Sequence, residues 1–231
     1  MKFSSIQKIE NMKNTLKYFV IAVLSIVLFS CDKDDDLQSK DIKRYNVESG
    51  IVHYETSISG PYVNGSGTED LYFKKWGALE MSFEDKSETI TIVNVNGIEE
   101  STTTNARSSY KIDNEKLYSV DYKNSIIYTK EDPLIDYMRQ NNLDALEAAK
   151  ETMVSMGGVQ LDNEKILGFD CEVWDLLGVK EWIYKGVTLK VVSHMAGITV
   201  IKEATSVKFD VSVADSYFEL PNFPHKDITD L

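Results

Sequence analysis

The sequence is poor in the residues on which most catalytic and metal-binding chemistry depends. Its two cysteines, Cys31 and Cys171, are too few for a disulfide framework. Its three histidines, His53, His194 and His225, stand far apart, and no H-x-x-x-H or C-x-x-C spacing offers a metal site. No G-x-S-x-G stretch supplies a serine nucleophile. We therefore predict that the protein is not an enzyme and uses no metal or cofactor.

Positive charge and long apolar runs are also lacking. The chain has 25 lysines and arginines against 37 aspartates and glutamates, a net charge of −12. Such a balance repels the phosphates of DNA and RNA, so nucleic acid is excluded as a partner. The apolar run at residues 18–29 is shorter than the roughly 20 residues that cross a bilayer. We therefore do not interpret it as a membrane span.

That short run has the flanks of a secretory signal peptide. Lys13 and Lys17 precede it, and small or polar residues follow. Leu28 does not fit an ordinary cleavage site, but the letters L-F-S-C ending at Cys31 resemble the lipobox of bacterial lipoproteins, in which the cysteine thiol receives a diacylglycerol. We predict that residues 1–30 are a lipoprotein signal peptide and that acylated Cys31 holds the protein firmly to a membrane. The alternative is a short anchor followed by an incidental cysteine.

An acidic stretch follows the cysteine. Asp32, Lys33, Asp34 and Asp35 resemble the export signal that sends lipoproteins to the outer face of the outer membrane in some Gram-negative bacteria. The alternative interpretation is a solvated acidic spacer. We predict that residues 31–49 form a lipidated acidic tether and that the protein lies in the outer membrane facing the cell exterior.

The remaining chain, residues 50–231, is expected to form one domain rich in strands. Apolar and polar residues alternate with a period of two from residue 52 to residue 58, which is typical of a half-buried strand. Residues 64–67, with two glycines, are expected to form a turn. Asn96-Gly97 predicts a hairpin in which both residues take positive φ. Cys171 lies in another alternating segment and is expected to be a buried core residue.

The spacing of apolar residues changes once, after residue 131, from the alternation of strands to the spacing of a helix. Asp132 can cap a helix and Pro133 suits its first turn. Apolar residues then recur at helical spacing until Gly157 and Gly158, and Asn141-Asn142 divides the region into two helices. Strands on both sides of one helical segment predict an α+β domain with an antiparallel sheet.

Three stretches of the second half carry a family resemblance. They read K-I-L-G-F-D-C-E-V-W at 165–174, E-W-I-Y-K-G-V-T-L-K at 181–190 and F-E-L-P at 218–221. Together they resemble a group of uncharacterised bacterial outer-membrane lipoproteins similar in fold to the lipoprotein carrier LolA and its receptor LolB. The resemblance implies an incurved antiparallel sheet, a half-open barrel, with a helical segment packed on its concave face. In the carrier, that concave face holds acyl chains.

This fold makes a hydrophobic cleft the leading functional hypothesis. Its candidate lining residues are Met138, Met153, Trp174, Trp182 and Tyr184, although ordinary core packing is the favoured interpretation for any single one of them. The first hypothesis is a surface lipoprotein that binds a lipid or other hydrophobic ligand. The second is a non-catalytic structural or interaction module with a protein partner in an envelope assembly, and a distant third is an envelope hydrolase.

Overall fold

The computed structural model describes residues 42–228, which form one open sheet of twelve strands with two helices. The spatial order is β12-β6-β5-β4-β3-β2-β1-β11-β10-β9-β8-β7. The strands are β1 Gly50–Gly60, β2 Val63–Lys74, β3 Leu79–Val93, β4 Glu99–Asp113, β5 Lys116–Asp121, β6 Ile126–Glu131, β7 Val159–Ile166, β8 Phe169–Leu176, β9 Val179–Tyr184, β10 Val187–Met195, β11 Ile198–Phe209 and β12 His225–Asp227. All neighbours are antiparallel except β12, which runs parallel to β6. The predicted α+β class and half-open antiparallel sheet are confirmed, with this one parallel strand added.

The predicted helical segment is also confirmed, together with its division into two helices. Helix α1 spans Pro133–Asn141 and helix α2 spans Ala145–Ser155. The Asp132 side chain caps α1 by accepting a hydrogen bond from the Leu134 backbone nitrogen at 3.0 Å. Asn142 ends α1 in the left-handed conformation with φ 54°. In residues 42–228, neither helix has the length and apolar character needed to cross a bilayer.

The two faces of the sheet carry separate apolar clusters. We call the face that carries Val52, Tyr54 and Phe73 the inner face, because these residues lie in the larger cluster of buried side chains. The helices lie on this side. A Cβ atom added to Gly186 would stand 2.6 Å from Leu146 of α2 and 3.2 Å from Tyr45. Tyr45 in turn packs edge-on against Phe73, with ring centroids 4.7 Å apart. Cys171 is fully buried in the same cluster, as predicted.

The opposite, outer face is covered near one end by the chain that follows β11. A 3-10 helix at Asp215–Phe218 buries Phe218 against Tyr72 and Met81. The Tyr217 and Tyr72 rings stack with centroids 4.0 Å apart. Farther along β2, β3 and β4 the outer face carries polar residues such as Ser66, Asp85 and Arg107.

The described part of the predicted tether is folded onto the domain. Backbone nitrogens of Arg44 and Tyr45 donate to the Trp76 carbonyl oxygen at 2.8 and 2.9 Å, and that of Asn46 donates to the Lys185 oxygen at 2.8 Å. Val47 is only 3% exposed. We call residues 44–47 the clasp, because they join the β2–β3 and β9–β10 turns. The clasp therefore contacts the domain although it precedes the boundary predicted at residue 50. Its partners are distant in sequence, so the acidic composition gave no sign of these contacts.

Three other local predictions are wrong or incomplete. Residues 64–67 lie within β2 instead of forming a turn. A Cβ atom added to Gly65 would stand 2.6 Å from the Ser87 carbonyl oxygen, and one added to Gly67 would stand 3.0 Å from the Asp85 carbonyl oxygen. Only glycine lets β2 approach β3 this closely. In the β3–β4 hairpin only Gly97 has positive φ, at 74°, because the loop is longer than two residues. Strand β7 has no counterpart among the sequence predictions, since it is polar and its first seven residues are exposed.

Candidate functional site

The five predicted cleft residues do not all lie together. Trp182 is buried in the main cluster and Tyr184 packs against it, so both belong to a filled core. Trp174 is also buried, at 5% exposure, and lies outside that cluster. Met138 on α1 and Met153 on α2 are half-buried. The tryptophans and the tyrosine are thus fixed in the sheet, whereas the methionines belong to the helical segment that covers it.

The helical segment buries its apolar surface incompletely. Its buried members are Ile135 on α1 and Ala145 and Ala148 on α2. Five of its larger apolar side chains are only half-buried, namely Leu134, Met138, Leu143, Leu146 and Met153. Each square ångström of apolar surface left in water forgoes about 25 cal/mol. The two helices therefore carry an apolar surface that the rest of the described domain covers only in part.

A charged band crosses the inner face beyond the apolar cluster. The pairing of strands places its members on the same side of β2, β3, β9 and β11, since directly opposed residues of an antiparallel sheet point to one face. We call this band the ionic belt; it consists of Glu69, Glu84, Lys86, Glu88, Glu181 and Lys202. Four carboxylates and two ammonium groups give it an excess of negative charge.

Most groups of the ionic belt are paired. Lys202 forms a salt bridge with Glu69, and its ammonium lies 4.5 Å from the centre of the Tyr54 ring. The Lys86 ammonium nitrogen lies 2.6 Å from a carboxylate oxygen of Glu88, and the Lys86 side chain is only 11% exposed. Glu84 accepts a hydrogen bond from the Ser108 hydroxyl at 3.1 Å. Burial raises the pKa of the Glu181 carboxyl, and the charge of Lys202 partly offsets that rise.

A second group of buried polar residues lies under the start of α1. Arg44 forms a 2.6 Å salt bridge with Asp132 and donates to the Asn114 carbonyl oxygen at 2.7 Å. Tyr45 donates a hydrogen bond to Glu80, whose pKa is raised because burial outweighs this bond. Burial also raises the pKa of the Tyr45 hydroxyl well above its usual value. These contacts join the clasp to the cap of the helical segment.

The outer face carries a shallow polar groove of about 510 Å³ across β2, β3 and β4. Its lining includes Ser66, Thr68, Asp85, Ser87, Asn105 and Arg107. Arg107 donates two hydrogen bonds of 2.9 Å to the Asp85 carboxylate, and both side chains are more than half exposed. A polar, open surface of this kind is suited to water and does not offer a hydrophobic ligand a site.

The sequence prediction missed the ionic belt because acidic residues occur along the whole chain. One signal was available. Glu69 shares its strand phase with the apolar Leu71 and Phe73, and Lys202 shares its phase with Val200 and Ala204. A charged residue on the apolar phase of a strand points to the buried face.

The predicted lipid attachment and export residues lie outside the described part of the chain. These are Cys31 with Asp32, Lys33, Asp34 and Asp35. They stay predictions, and so do the signal peptide at 1–30 and the outer-membrane location.

Comparisons with known proteins give only distant likenesses. No family model and no curated protein matches the chain. Among solved structures, an uncharacterised conserved protein from Thermus thermophilus matches with a TM-score of 0.40 at 6% identity, over 76% of this chain and 90% of that one. A DUF1329 family protein from Desulfovibrio piger has a TM-score of 0.30 at 11% identity, over 76% and 91%. An outer membrane lipoprotein-sorting protein domain from Vibrio parahaemolyticus has 0.29 at 10%, over the same shares.

The group indicated by the sequence resemblance is thus represented among the structural neighbours by the lipoprotein-sorting domain. At these identities and TM-scores the likenesses carry no argument about function. Any function must therefore be inferred from the residues of this chain.

Proposed function

We propose that this protein is an outer-membrane lipoprotein whose domain binds a lipid or another hydrophobic ligand between the helical segment and the inner face of the sheet. The observation that carries the proposal is the incompletely buried underside of α1 and α2. Their buried residues are small or few, while Met138, Met153 and three leucines are buried only in part. An apolar ligand would cover this surface and gain the burial free energy that the sheet does not supply.

The ligand proposal is tested on residues 32–231. This stretch contains every described strand and helix and both apolar clusters, so we expect it to fold without residues 1–31. We expect native mass spectrometry of the purified domain to detect a co-purifying lipid. Met153→Glu should abolish that lipid, because a carboxylate would enter the apolar underside.

The matched control is Val154→Glu, on the same helix but at a position that is 59% exposed. It should keep the lipid, since its side chain points to water. A domain that carries no lipid and binds none on addition of a phospholipid or fatty acid would contradict the proposal. Loss of lipid in both variants would place the ligand elsewhere and contradict the proposed site.

The location is tested separately in cells. We expect Lys33→Ala, Asp34→Ala and Asp35→Ala together to leave the lipoprotein made and acylated but protected from protease added to whole cells. The physical basis is that the export signal depends on these charges at fixed offsets from Cys31. The triple variant Gln38→Ala, Ser39→Ala and Lys40→Ala, in the same stretch, should stay accessible. Equal accessibility of the two variants would remove the export interpretation.

A second function, the structural or interaction module, is favoured by one surface. At the β3–β4 hairpin tip Val95 is 99% exposed and Ile98 57%, and Tyr62 of the adjoining β1–β2 turn is 62% exposed. The Thr91 nitrogen donates to the Tyr62 oxygen at 2.9 Å, which holds the two turns side by side. Exposed apolar groups gathered at one point are typical of protein contact sites. We propose this tip as the contact surface if the domain carries no lipid.

A further inference from the structure

We propose that the ligand is an amphiphile whose polar end carries a basic amine, and that Glu181 of the ionic belt binds this amine. The proposal deepens the proposed function and rests on it. It follows from three properties of the ionic belt, namely its place beside the apolar core, the pairing of its groups and its net charge. A buried hydroxyl on the neighbouring strand β10, which has no partner among the described residues, is the fourth observation.

Glu181 lies in the row of the sheet that borders the apolar cluster. It is opposed to Val191 of β10, which is opposed in turn to Lys202 of β11. Lys202 is opposed to Thr56 of β1, two residues from the core residue Tyr54. The helical segment lies over the same face. A ligand with its apolar part beneath the helices can therefore extend its polar end to this row without leaving the inner face.

Glu181 is the one glutamate of the ionic belt whose carboxylate has no hydrogen-bond or salt-bridge partner among residues 42–228. Glu69 is paired with Lys202, Glu88 with Lys86, and Glu84 accepts from Ser108. Glu181 receives only the more distant influence of Lys202, which already has its own partner. A largely buried carboxylate without a donor is costly, and an added donor with positive charge removes that cost.

Ser193 is a second polar group without a partner. It lies on β10 two residues after Val191, and therefore on the same face, and is opposed to Val179 of β9 and Val200 of β11. Ser193 is 2% exposed, and its Oγ atom has no hydrogen-bond partner within residues 42–228. Buried hydroxyls are normally paired. A protonated amine carries several N–H donors, so one can bond the Glu181 carboxylate and another the Ser193 oxygen.

The sign of the charge decides between amine and acid. The ionic belt has four carboxylates and two ammonium groups, and both ammonium groups are occupied by Glu69 and Glu88. A fatty acid or phosphate headgroup would bring a further negative charge beside Glu181 and would be repelled. A neutral alcohol would gain a hydrogen bond but no charge attraction. The ionic belt therefore selects a cationic headgroup.

The test uses residues 32–231, freed of bound lipid, and three probes of equal chain length: dodecylamine, dodecanol and dodecanoate. Binding is measured by titration calorimetry below the micelle concentrations of dodecylamine and dodecanoate and below the solubility limit of dodecanol. We expect dodecylamine to bind at least about tenfold more tightly than the other two, the least that a charge-assisted hydrogen bond in a largely buried site supplies. Glu181→Gln should reduce dodecylamine affinity by about tenfold and leave dodecanol affinity unchanged.

The matched control is Glu55→Gln, an exposed glutamate on the outer face of β1. It should leave all three affinities unchanged. Equal binding of dodecylamine and dodecanol, or equal loss of dodecylamine affinity in the Glu55 and Glu181 variants, would overturn the amine proposal and leave the lipid-binding function standing. Binding of none of the three probes would overturn both.

Discussion

Arg44→Met is expected to destabilise the domain by about 3–5 kcal/mol. The Arg44 and Asp132 side chains are 8% and 10% exposed, and the salt bridge between them is 2.6 Å long. Removing the guanidinium leaves the Asp132 carboxylate buried without its counter-charge. The same change frees the clasp from the cap of α1. Urea unfolding followed by tryptophan fluorescence measures the effect.

Two comparisons make this result specific. Arg107→Met removes an arginine–aspartate contact in which both side chains are about 60% exposed, and it should cost no more than about 1 kcal/mol. The double variant Arg44→Met, Asp132→Asn should recover part of the loss, because no unpaired buried charge remains. If Arg44→Met and Arg107→Met cost the same, the clasp does not depend on a buried ion pair.

Phe73→Ala is expected to cost about 3–5 kcal/mol, because it opens a cavity where four elements meet. Phe73 is fully buried in β2. Its ring contacts Tyr45 of the clasp and lies 6.2 Å, between centroids, from Phe209 of β11. Gly50 of β1 leaves room for that ring, since a Cβ there would stand 2.6 Å from it. Thermal and urea unfolding of the variant check the value.

The control for Phe73 is Tyr62→Ala, an aromatic truncation on the exposed hairpin tip. It should change the free energy of unfolding by less than about 0.5 kcal/mol. A loss below about 1 kcal/mol for Phe73→Ala would mean that the clasp and sheet close over the cavity, and that the inner face is more deformable than its packing indicates.

Sequence reasoning found the elements whose signals are local. Asp132-Pro133 marks the start of α1 by capping chemistry within three residues, and α2 ends just before Gly157 and Gly158, where the glycines predict its end. The alternation around Cys171 correctly places that thiol in the core. In each case the deciding interaction lies within a few residues of the pattern that announces it.

Sequence reasoning failed where a residue's role is set by a contact with a residue far away in the sequence. Arg44 and Asp132 are far apart in sequence, so the charge of Arg44 indicated a solvated tether until the fold supplied its partner. Gly65 looked like a turn residue because its true constraint is the backbone of the neighbouring strand at Ser87. Strand β7 carries few apolar residues, since an edge strand needs only one neighbour to be ordered. The ionic belt exists only once β9 and β11 lie beside β10.

The length of β3 sets a distance between the two ends of the molecule. The strand begins at Leu79, three residues after the Trp76 oxygen that holds the clasp, and runs to Val93 beside the apolar tip. Fifteen extended residues cover roughly 45 Å. The Trp76 oxygen that holds the clasp is thus separated from the apolar tip by more than the roughly 30 Å thickness of a bilayer's hydrocarbon region. A molecule that meets the tip therefore approaches the end of the sheet farthest from the clasp.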